Sequence, residues 1–149
     1  MNKIFNTPTE FSLRTLLMLS VQTSPISLER IYLYDFMVCF SKIFNIALHN
    51  LHGNSSLAFS QLSLRRTFTK KGLQILIQKG LITATSTEHG FVYAINNNGI
   101  NIVNSIESEY KNEYIILAEK IYKNFHHKND IELQQLVSKK SIKLEGGIL

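Results

Sequence analysis

From Leu62 to Ala94 the chain reads as helix, stop, strand, turn and strand, with no acidic residue before Glu88. Leu64, Phe68, Leu73, Leu76 and Ile77 supply the inward positions of a helix over about Ser63 to Lys79, while Arg66, Lys70 and Gln74 recur every four residues along another line. Gly80 suits the left-handed position that ends such a helix, and Lys79 complements its negative end. Leu81 to Ser86 and Phe91 to Ile95 are rich in β formers, and His89-Gly90 suits a tight reversal between them. This order predicts a winged helix-turn-helix: an α+β fold, mainly α, with a two-stranded wing and extra C-terminal helices. Winged helices serve as DNA readers and as protein-docking modules, so the architecture does not by itself decide the function.

A chain of 149 residues, 44% hydrophobic, is large enough to bury one ordinary core without metal or disulfide support. The expected division is a domain over 1–125 with flanking helices and a weakly structured tail over 126–149 holding a short helix. Cys39 lies in the apolar run Phe36-Met37-Val38-Cys39-Phe40, which reads as a small buried thiol. The opening resembles no signal peptide, because Lys3 is followed only by a short apolar patch before Asn6, Pro8 and Glu10. Arg14, Asp35 and Lys42 interrupt the longest apolar runs, well short of the roughly 20 residues a membrane span needs. The cytoplasm is therefore the expected location.

The formal net charge of +5 is unevenly placed. Between Asp35 and Glu88 there is no acid, while Lys42, Arg65, Arg66, Lys70, Lys71 and Lys79 all fall there. After Ile100, Glu107, Glu109, Glu113, Glu119, Asp130, Glu132 and Glu145 meet an equal number of lysines. An anionic partner, DNA or an acidic protein surface, is expected at the middle of the chain, through Arg65, Arg66, Lys70, Lys71 and Gln74. A solubilised helix face is the plainer reading of the same charges.

Thr7-Pro8-Thr9-Glu10 is a helix start, with Thr7 as N-cap and Pro8 in the first turn. That helix runs to about Val21, with Arg14 and Thr15 near the edge of its apolar stripe. A second, largely buried helix is expected from Ser27 to about Phe44; Asp35 inside it must be paired, hydrogen-bonded or on an exposed stripe, and a structural hydrogen bond is favoured over a functional role. Asn45 to Gln61 reads as a polar loop, and its His49 and His52 are too few ligands for a zinc site. Asn96 to Gly99 closes the wing before helices over Ile100 to Glu107 and Tyr110 to Phe125. On the latter, Tyr114, Leu117, Ile121, Tyr122 and Phe125 share a face that packs on the first helix or docks a partner. Ser141 to Leu149 is expected to be mobile.

No nucleophile elbow, activated cysteine, or phosphate-binding glycine loop is present in the sequence, and the acids are scattered. The expectation is a non-enzyme without cofactor or metal. His126-His127 reads as a solvated helix end.

Several stretches are similar to one family. Phe5-Asn6-Thr7-Pro8-Thr9-Glu10 with Leu13-Arg14, the run from Leu28 through Asp35-Phe36-Met37-Val38, Leu64-Arg65-Arg66 through Gly72-Leu73 to Lys79-Gly80-Leu81-Ile82, and Glu88 to Ala94 together resemble the middle component of ABC-three-component systems, the Lamassu-type anti-phage defence operons. The resemblance covers most of Phe5 to Tyr122. It departs from the family at the loop from Asn45 to Gln61, which lacks the proline-containing stretch, and it does not reach the tail. It implies an accessory subunit joining an SMC-like ABC ATPase, which senses invading DNA, to an effector such as a nuclease. The competing expectation is a winged-helix transcription regulator that sets Arg65, Arg66, Lys70 and Lys71 on phosphates and Gln74 on a base edge. That reading lacks a clear dimerisation helix.

Overall fold

The structure, a computed structural model, describes residues 7–52 and 59–148, with side chains to Ser141. Phe5, Asn6 and the loop residues Gly53 to Ser56 lie outside the described residues. The architecture is mainly helical with a small antiparallel sheet: α1 (Pro8–Ser20), β1 (Ile26–Ser27), α2 (Leu28–Cys39), α3 (Leu62–Gln78), β2 (Ile82–Thr87), β3 (Gly90–Ile95), α4 (Asn97–Ser105), α5 (Glu109–Phe125) and α6 (Asp130–Ile148).

Local chemistry explains most of the boundaries. The Thr7 hydroxyl accepts from the Glu10 amide at 3.1 Å and starts α1. Ser27 does the same for Arg30 at the head of α2. α2 ends at Cys39, five residues before the expected Phe44, because the following loop folds back onto it. The His52 amide donates to the Cys39 carbonyl and Asn50 accepts from the Lys42 amide, so the loop supplies end caps that a continuing helix would exclude. Gly80 stops α3 with φ of 70°.

The hairpin forms as expected, turning through Glu88-His89 with Gly90 at φ of 108°. The sheet has one strand more than the two expected: Ile26–Ser27 pairs with Tyr93 and Val92, giving the order β1-β3-β2. Asn96 does not merely close the hairpin. Its side chain accepts from the Gly99 amide and donates to the Gly80 carbonyl, so α4 begins three residues before the expected Ile100.

The core is built from α1 and α2, with Leu17, Met18, Ile31, Phe36, Met37 and Val38 inaccessible to solvent. α3 crosses α1 at backbone contact, since a Cβ on Gly72 would stand 2.9 Å from the Ser12 nitrogen. The expected short helix after Phe125 is instead the long α6. Asn129 and Glu132 cap it reciprocally at 2.8 and 2.9 Å, and Leu133 and Val137 are buried in the core. Asp130 ties its start to α2, taking the Ser27 hydroxyl at 2.5 Å and the Arg30 guanidinium at 3.0 Å.

Candidate functional site

The centre of the molecule is one carboxylate shared by four helices. Asp35 on α2 accepts from Arg14 of α1 at 2.9 and 3.2 Å, from Arg65 of α3 at 3.1 Å, and from the Tyr114 hydroxyl of α5 at 2.6 Å. All four side chains are buried. Two cations face one anion, and aromatic rings accommodate the surplus. The Arg14 guanidinium lies 4.2 Å from the centre of Phe11, and that of Arg65 lies 5.4 to 5.7 Å from Phe11, Phe36 and Phe40. Among the described residues Arg65 Nε finds no acceptor.

Burial alone would raise the Asp35 pKa, but Arg14 and Arg65 outweigh it and hold the carboxyl well below its ordinary range. Burial, with Asp35 adding to it, pushes the Cys39 thiol up to about 11. Cys39 stands 3.5 Å from His52 Nε2 and 3.3 Å from Arg65, yet it is a thiol at neutral pH and lacks the thiolate that nucleophilic attack requires. His52 is lowered to about 3 by burial and by Arg14, and it shares a 2.6 Å hydrogen bond with the Tyr110 hydroxyl. This cluster is a neutral-pH clamp, and Asp35 has the structural role its buried position demands.

The clamp rearranges the expected surface. Arg65 leaves the basic ridge, because Gly72 brings α3 against α1 and turns the stripe Arg65, Thr69, Gly72, Leu73 and Leu76 inward. Leu64 and Ile77, expected inside, are 50% and 42% exposed. Arg14, expected at a stripe edge, is fully buried. Arg66 stays outside but is held by Glu29, with contacts of 2.7 to 3.2 Å. Lys70, Lys71 and Gln74 are exposed, and Lys71 leans over the Phe68 ring at 5.7 Å. Among the described residues no carboxylate pairs with Lys70 or Lys71. The hairpin adds no cation, since the sequence has no lysine or arginine between Lys79 and Lys111.

The expected docking face of α5 divides in two. Tyr114, Leu117 and Ile121 are core residues rather than surface, buried against α1 and α2. Tyr122 and Phe125 are half-buried; Tyr122 bonds Thr23 at 2.6 Å and stacks on His126, whose ring nitrogen meets the Tyr122 carbonyl. The apolar surface of α5 lies elsewhere. Ile116, 53% exposed, faces Leu48, 84% exposed, across an open groove of about 640 Å³ rimmed by Glu113 and Lys120.

The family model of the ABC-three component (ABC-3C) system Middle Component 2 matches residues 4–146. The chain belongs to that family. No curated protein and no solved structure matches it. As a middle component it is one part of a multi-component system and so has partner proteins. The match runs through α6, beyond the stretches that carried the resemblance. Among the described residues this middle component has no helix long and apolar enough to cross a membrane. The signal that would have found the inward arginines is present in the sequence: a buried Asp35 needs a cation, and Arg65, Thr69, Gly72, Leu73 and Leu76 share one helical face.

Proposed function

We propose that this middle component is a non-catalytic accessory subunit of a Lamassu-type anti-phage defence complex in the cytoplasm. In this reading it bridges an SMC-like ABC ATPase that senses DNA and an effector such as a nuclease. The observation that carries the reading is the family match across residues 4–146. The geometry supports it in two ways. The clamp at Asp35 ties four helices into one unit, on which a bridging subunit can present separate surfaces to two partners. The exposed Lys70 and Lys71, with Gln74 beside them, give α3, as the helix that precedes a winged-helix type hairpin, an outer face that guides DNA or an acidic protein surface.

The regulator reading keeps Gln74 but loses Arg65 to the core and has Arg66 engaged by Glu29, so it is the weaker of the two. Co-purification of the tagged chain with the products of its neighbouring genes tests the proposal. A stoichiometric complex is expected; a lone monomer that leaves those proteins behind would overturn it.

A further inference from the structure

The sheet has two unlike edges. β1 is two residues long and leads straight into α2, which blunts it. β2 is six residues long, Ile82-Thr83-Ala84-Thr85-Ser86-Thr87, and pairs only through β3, so its outer backbone donors and acceptors have no strand beside them among the described residues. Thr83 to Thr87 are all exposed. The devices that normally protect such an edge are missing: the strand has no charge and no proline, and its register with β3 is continuous.

The side chains shape the edge further. The register sets Ile82, Ala84 and Ser86 opposite Ile95, Tyr93 and Phe91, all on one face, which packs on the core at Ile82, Tyr93 and Ile95 and runs out into solvent at Ala84, Ser86 and Phe91. Small residues on the edge strand thus stand beside large ones on β3, and Phe91 is left 58% exposed. The result is a step along the sheet, with Ala84 and Ser86 as its floor and the aromatic rings as its wall.

We propose that β2 is a strand-addition site for an extended segment of another component of the assembly, one that alternates apolar and polar residues and turns its apolar side chains toward Phe91 and Tyr93. The proposal rests on the accessory-subunit reading. Main-chain hydrogen bonds supply the attachment and the step supplies the side-chain preference. Charge complementarity marks the two ends: Lys79 stands just before β2 and Glu88, 3.3 Å from the exposed His89, just after it, so the segment carries an acid at the first end and a base at the second. A second copy of β2 fits poorly, because it would bring Ala84 and Ser86 against the step and leave it unfilled. Nucleic acid is equally unsuited, as the hairpin has no lysine or arginine.

Backbone hydrogen exchange, read on the isolated chain and on its complex with the products of the neighbouring genes, tests the site. Exchange at Thr83 to Thr87 is expected to slow by about tenfold or more in the complex. Ser86→Lys, which charges the step at an exposed position, should weaken assembly about tenfold, while Thr85→Lys on the other face changes it less than about threefold. Unchanged melting temperatures of both variants establish that they fold. A complex that forms while Thr83 to Thr87 exchange as in the isolated chain overturns the site and leaves the accessory role standing. Protection that appears in the isolated chain as its concentration rises makes the occupant a second copy and also overturns it. If no complex forms at all, the accessory role fails and the site with it.

Discussion

The Tyr114 hydroxyl stands 2.6 Å from Oδ1 of Asp35, 79 residues away in the chain, on the carboxylate oxygen that also receives Arg14 Nε. A residue from α5 thereby completes an ion cluster begun by α1, α2 and α3. Removing the hydroxyl leaves both arginines paired, so Tyr114→Phe should cost about 2 kcal/mol, the scale of one hydrogen bond to a charged group. Asp35→Asn leaves two buried guanidiniums without their anion and should cost about 3–5 kcal/mol. Urea unfolding of the three proteins checks both the order and the gap.

The same cluster sets an acid limit. The folded-state pKa of Asp35 is depressed, so its contribution is fully present above the unfolded carboxylate value and is lost as pH falls toward the folded one. His52 is depressed from 6.5 to about 3, so between those values the unfolded chain takes up a proton that the folded chain refuses. Stability therefore falls with pH through this window, with a slope of up to about 1.4 kcal/mol per pH unit from His52. His52→Gln should flatten the stability curve between pH 6 and pH 4, measured by urea midpoints at each pH. An unchanged slope would remove His52 from the account.

Gly72 is where α3 touches α1. Alanine there sets its Cβ 2.9 Å from the Ser12 nitrogen and 3.1 Å from the Phe11 carbonyl carbon, both backbone atoms that cannot swing away. Gly72→Ala is expected to destabilise by about 1–3 kcal/mol through overpacking, despite alanine's better helix propensity. Thermal unfolding reads this directly.

Much of the fold was legible because its signals are local. The starts of α1 and α2 are written in Thr7-Pro8 and Ser27, the end of α3 in Gly80, and the hairpin in Gly90 and its flanking β formers. The inward face of α3 was legible only in part: counting apolar residues selects Leu73 and Leu76, which are buried, and Phe68, which packs on Phe11, but also Leu64 and Ile77, whereas the contact with α1 at Gly72 and the demand of Asp35 select Arg65 and Thr69. Those are long-range facts. The length of α6 was hidden for a similar reason: its few apolar residues look too sparse until Leu133 and Val137 meet the core and Asp130 meets Arg30. Part of the candidate surface was readable as charge, and Lys70, Lys71 and Gln74 do stand outside. Which charges are offset depends on partners such as Glu29, 37 residues before Arg66.

That difference makes the lysines and Arg66 separable. On the proposed DNA-guiding role of α3, Lys70→Glu with Lys71→Glu should weaken DNA binding by the assembly and reduce its salt dependence by about two phosphate contacts. Glu29→Gln should do the opposite, since it releases Arg66. Filter binding at several salt concentrations distinguishes the two; equal affinities would make the outer face of α3 a solvated surface and nothing more.

The bridging role is tested most directly by omission. The proposed ATPase and effector partners are mixed with and without this chain, and their association is read by size-exclusion chromatography with mass determination. One complex containing all three proteins is expected, with separate ATPase and effector peaks when the chain is left out. Association of the two that is equally complete without it would contradict the bridge.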